Sequence, residues 1–69
     1  MKKRIKFKKK DIGKTIKMYW CGHWDSVTIK AIEDDTFYKR KNGYVVVYNI
    51  NLDSKTTIAN DFDPDDIEY

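Results

Sequence analysis

Apolar and polar residues alternate one for one along most of this chain, and no segment sustains a helical period; that pattern limits the fold more than any other feature. In "RIKFK", Ile5 and Phe7 point one way and Arg4, Lys6 and Lys8 the other, as in a half-buried strand. Asp11 and Gly13 signal a turn. "KTIKMYW" then repeats the alternation, with Ile16, Met18 and Trp20 on one face and Thr15, Lys17 and Tyr19 on the other. "CGHWDS" is expected as a loop. "VTIKAI" places Val27, Ile29 and Ala31 together, its β-branched content favours a strand, and "EDD" is expected to close it.

The strongest local turn signal is Asn42-Gly43, the pair best able to take the two positive φ angles of a type I′ hairpin. A two-residue loop there sets Lys41 opposite Tyr44, Lys39 opposite Val46 and Phe37 opposite Tyr48. Phe37, Val46, Tyr48, Ile50 and Leu52 are then expected to line the core, with Tyr38, Val45 and Val47 on the other face. "DSK" turns the chain and "TTIA" is a short strand. "DPDDI" is expected to form one helical turn, with Asp63 as its cap and Pro64 at the first helical position, before a last short strand at Ile67.

Sixty-nine residues make one domain, 1–69, with residues 1–10 as a basic first strand or arm. Cys21 is the only cysteine, so no intrachain disulfide can staple the fold, and a core drawn from the 41% apolar residues must hold unaided. The expected architecture is all-β: a single small five-stranded, strongly bent antiparallel barrel with one short helical turn near the C-terminus. No apolar stretch of signal-peptide or membrane-spanning length follows the basic start, so a soluble cytoplasmic protein is expected.

The order of these pieces over residues 14–69 resembles small barrels of the Src-homology-3 and Tudor type: a strand, a Gly-containing loop with Trp, a strand beginning "SVTI", an acidic turn, "TFYKR", a tight turn, a Val-rich strand and a one-turn helix. That resemblance implies chain ends lying close together. A Tudor-like function would hold a methylated Lys or Arg in an aromatic cage, for which Trp20, Trp24, Tyr38 and Tyr44 are available. Asp25 and the charged "KNG" turn occupy positions where the resemblance implies cage aromatics. The proline-peptide reading has Glu33, Asp34 and Asp35 as acids but lacks the "ALYDY" signature.

Catalytic and metal chemistry find little here. Cys21 and His23 lie two apart with no third group marked to orient the histidine, and no further Cys or His exists to complete a zinc site. Asp61, Asp63 and Asp65 mimic the start of a calcium loop, but Asp66 stands where its glycine belongs. No enzyme activity, cofactor, metal, small-molecule substrate or membrane partner is expected.

Charge points elsewhere. The stretch "KKRIKFKKK" carries seven positive charges in nine residues, while residues 50–69 hold six acids against Lys55. Either the basic end grips a polyanion or the two ends neutralise each other in the fold. The favoured function is a non-enzymatic module that binds nucleic acid weakly and without sequence preference. Its phosphate contacts would come from Lys3, Arg4, Lys6, Lys8, Lys9 and Lys10, extended by Lys14 and Lys17, with Tyr19 or Tyr38 stacking on bases. The alternative is a small regulator or inhibitor that docks on a partner protein through the "YVVVY" face and the acidic end. In size and composition the chain resembles accessory proteins of bacteriophages or mobile elements.

Overall fold

The alternation is realised as five antiparallel strands in one sheet, without α-helix among the described residues. A computed structural model describes residues 3–69; Lys2, the first charge of the basic stretch, lies outside them. The strands are β1 (Thr15–Trp20), β2 (His23–Asp35), β3 (Arg40–Asn49), β4 (Ser54–Ala59) and β5 (Ile67–Glu68), in the spatial order β4-β3-β2-β1-β5. The sheet is open, which corrects the expected barrel: β4 and β5 are its edges and do not pair with each other.

The N-terminal arm lies against the segment that follows β4. Ile5 exchanges both backbone hydrogen bonds with Phe62, at 2.8 and 2.9 Å, and this is a single bridge rather than a first strand. The inward and outward faces are those the alternation predicts. Phe7 is 2% exposed and packs its ring at 5.4 Å from that of Phe62. Burying an aromatic side chain of this size contributes about 2–3 kcal/mol. The rest of the core is Ile16, Met18, Val27, Ile29, Val45, Val47 and Ile67, so the predicted inward residues of β1 and of early β2 are in place.

The turns depart from expectation. Cys21 and Gly22 alone connect β1 to β2, with φ of 52° and 85°, the pair of positive angles that a primed two-residue turn requires. "CGHWDS" is thus a tight hairpin, and β2 begins at His23. Asn42-Gly43 is not the β2–β3 turn. That turn is Thr36–Lys39, and Asn42 and Gly43 lie within β3, where Lys41–Gly43 bulge opposite Asp34.

The cause is a buried carboxylate. Asp35, 1% exposed, accepts hydrogen bonds from the backbone N–H groups of Phe37 and Tyr38, both at 3.1 Å, and from two guanidinium nitrogens of Arg40. Only the earlier turn delivers those donors. The register then inverts the predicted faces of β3: Val45, Val47 and Asn49 are buried, Phe37 is 82% exposed, and Val46, Tyr48, Ile50 and Leu52 lie outside the core. A second bulge at Lys30, between the pairs Ile29↔Val47 and Ala31↔Val46, bends β2.

The C-terminal reading stands. Asp63 caps a single 3-10 turn, Pro64–Asp66, by accepting the Asp65 N–H at 2.9 Å, and β5 follows with Ile67 paired to Met18.

Candidate nucleic-acid interface

Because Ile5 and Phe7 turn inward, Arg4, Lys6 and Lys8 must project into solvent. The arm runs beside the residues that follow β4, and this brings the two oppositely charged ends of the chain together. Arg4 Nε lies 2.9 Å from Asp61 Oδ1, and its Nη2 donates to the Asp61 carbonyl at 3.2 Å. The hydrogen bond that Arg4 donates to the Asp61 carboxylate is the main reason its guanidinium holds its proton more firmly than usual. Neutralisation extends little further. Among the described residues, Lys3, Lys6, Lys8, Lys9 and Lys10 make no ion pair within 4 Å.

A groove of about 460 Å³ opens between the arm, the start of β3 and the end of β4, lined by Lys3, Arg4, Lys6 and Arg40 with Asp61, and completed by Gly43, Ala59 and Asn60. Asn60 builds its wall. Its Oδ1 accepts the Phe7 N–H at 2.8 Å, and its Nδ2 donates to the carbonyls of Phe7 at 2.8 Å and Asn42 at 2.9 Å. The amide thus stands in for a neighbouring strand, tying the arm to the β3 bulge.

Arg40 was not among the sequence candidates. It joins the basic arm only because the β2–β3 turn falls at Thr36–Lys39, and its proximity to Lys3 and Lys6 leaves no local trace in the chain. Its guanidinium is held by Asp35, 3.0 Å from Nη2, and lies 5.2 Å from the centre of the Tyr38 ring. Tyr38 in turn meets Phe37 edge to face at 4.7 Å. The Tyr38 N–H, then Arg40, keep the Asp35 carboxyl below the usual range, so it stays ionised and the turn stays fixed at neutral pH.

The other predicted contacts are scattered. Lys9 and Lys10 form a separate 3-10 turn, Lys9–Asp11, preceded by Lys8. Asp11 accepts the Lys8 N–H at 2.8 Å and pairs with Lys14 Nζ at 3.0 Å, which depresses its pKa and offsets the charge of Lys14. Lys17 faces outward on β1, with Glu68 as its partner across β5. Tyr19 packs against Trp24, ring centres 5.4 Å apart, beside the Cys21-Gly22 turn at the far end of β2 from Tyr38. The four rings available for an aromatic cage are therefore not gathered: Trp20 and Trp24 flank one turn, and Tyr38 sits in the other.

The third group absent from the sequence reading of His23 is Asp25. This carboxylate, 4% exposed, accepts on one oxygen from Trp20 Nε1 at 2.7 Å, Asn49 Nδ2 at 2.9 Å and His23 Nε2 at 3.1 Å. Asn49, then Trp20, lower its pKa. The cluster pins the hairpin end of the sheet, and beside it Cys21 is exposed and makes no hydrogen bond among the described residues.

No helix among the described residues is long and apolar enough to cross a membrane. Neither a family model, nor a curated protein, nor a solved structure matches the chain.

Proposed function

We propose that the protein is a non-enzymatic module that binds nucleic acid weakly and without sequence preference through its basic arm. One observation carries the reading: the arm presents Lys3, Lys6, Lys8, Lys9 and Lys10 to solvent with no ion pair within 4 Å among the described residues, Asp11 acting on Lys10 only at longer range, although the acidic end lies next to the arm. Exposed lysines of this kind attract phosphates by releasing condensed counterions. The competing reading, docking on a protein through "YVVVY", loses surface because Val45 and Val47 belong to the core.

Titration of labelled oligonucleotides at low salt tests the proposal. The parent protein is expected to bind single- or double-stranded probes with an affinity that falls steeply with salt, at a logarithmic slope of about −3 to −4 if four or five phosphates are contacted. Replacing Lys6, Lys8, Lys9 and Lys10 together by Gln should abolish binding and leave the thermal midpoint in place. Absence of binding by the parent protein would sink the proposal in favour of a protein partner.

A further inference from the structure

We infer that the groove beside the arm takes single-stranded nucleic acid, with a phosphate between Lys3, Arg4 and Lys6 and an unpaired base stacked on Tyr38. This rests on the nucleic-acid reading and adds the strandedness of the ligand.

Three observations lead to it. First, the cations and the aromatic group are contiguous: Arg40 lines the groove with Lys3, Arg4 and Lys6, and its guanidinium lies against Tyr38. Tyr38 is 67% exposed. A base in a duplex has both faces covered by its neighbours, so only an unpaired strand can offer a face to such a ring. Second, the groove, at about 460 Å³, falls in the size range of sites for single small ligands. That is room for one nucleotide unit.

Third, the ring is held before any ligand arrives. Its backbone N–H and that of Phe37 are fixed on Asp35, the Phe37 ring braces it, and Arg40 is anchored on the same carboxylate. The fixed backbone and the contacts with Phe37 and Arg40 reduce the freedom the ring has to lose on stacking. Charge selects within the groove as well. Asp61 and Asp35 already hold Arg4 and Arg40, so Lys3 and Lys6 supply the uncompensated charge and the phosphate is drawn toward the arm.

The test compares labelled oligo(dT) and oligo(rU) of about 12 nucleotides, long enough to cross a domain of this size, with a duplex of equal length, by fluorescence anisotropy at low salt. The tighter of the two single strands serves as the reference for the duplex. The better single strand is expected to bind about tenfold more tightly than the duplex, as one stacked base supplies. Tyr38→Thr should lose that factor on the single strand and nothing on the duplex, and Tyr38→Phe should retain it. Replacing Lys3 and Lys6 by Gln should weaken both probes and flatten the salt dependence.

A duplex bound as tightly as the single strand would overturn the inference and leave the nucleic-acid reading standing. So would a folded Tyr38→Thr variant with parental single-strand affinity. Binding to neither probe would overturn both. If Tyr38→Thr fails to fold, the single-strand to duplex ratio of the parent protein decides.

Discussion

Asn60 offers the sharpest test of how the arm is held. Its side chain makes three hydrogen bonds, all 2.8–2.9 Å, to backbone groups 53 and 18 residues away, and the residue itself is 1% exposed. Asn60→Ala deletes all three and leaves the Phe7 N–H and two carbonyls without partners. At about 1–3 kcal/mol for each buried group left unpaired, discounted for water entering the space the amide vacates, the expected loss is about 3–4 kcal/mol. A domain of this length is stable by only about 3–10 kcal/mol, so the variant should be close to unfolding at room temperature. Urea denaturation followed by tryptophan fluorescence reads this directly. With a slope of about 1 kcal/mol/M for so small a protein, the midpoint should fall by about 3 M. Asn60→Asp should be comparably unstable at neutral pH, because it keeps an acceptor for the Phe7 N–H but turns a carboxylate toward two carbonyls. A loss below about 1 kcal/mol in the Ala variant would show that the Ile5–Phe62 bridge, the Arg4–Asp61 pair and the packing of Phe7 hold the arm by themselves, and that the amide network is dispensable.

The remaining expectations concern the two carboxylates and the bulge. Asn49 and Trp20 hold the Asp25 carboxyl, and the Tyr38 N–H and Arg40 the Asp35 carboxyl, below the usual carboxylate range in the folded chain, so as pH falls the unfolded chain takes up protons first. Their stabilisation is present above the unfolded pKa and lost as pH falls through the folded values: the thermal midpoint should be flat between neutrality and about pH 5 and drop below about pH 4, more weakly in Asp35→Asn. Gly43 is needed for closeness and not for positive φ, since an added Cβ would meet the Cβ of Asp35 at 2.7 Å. Gly43→Ala should therefore cost about 1–3 kcal/mol by urea denaturation, and an unchanged midpoint would refute the close approach of β3 to Asp35.

The sequence by itself determined what depends on neighbours in the chain. Alternation placed Ile16 and Met18, Val27 and Ile29, and Ile5 and Phe7 on inward faces, because side-chain direction in extended backbone follows from position alone. Asp63-Pro64 specified the 3-10 turn for the same local reason. Tertiary structure decided the register of β2 against β3. The preference of Asn42-Gly43 for a tight turn survives only as the positive φ of Asn42, 56°, inside a bulge. It yields because the observed register supplies partners to two buried carboxylates at once: Arg40 and two loop N–H groups to Asp35, and Asn49 to Asp25. A one-residue slip would turn Asn49 outward, taking Val45 and Val47 with it, each worth about 1.5–3 kcal/mol when buried. The candidate site divides in the same way. Its lysines were legible as a run of like charges, but their union with Arg40 and Tyr38 was not, since it follows from that register and from an arm docked across more than fifty residues of chain by Asn60.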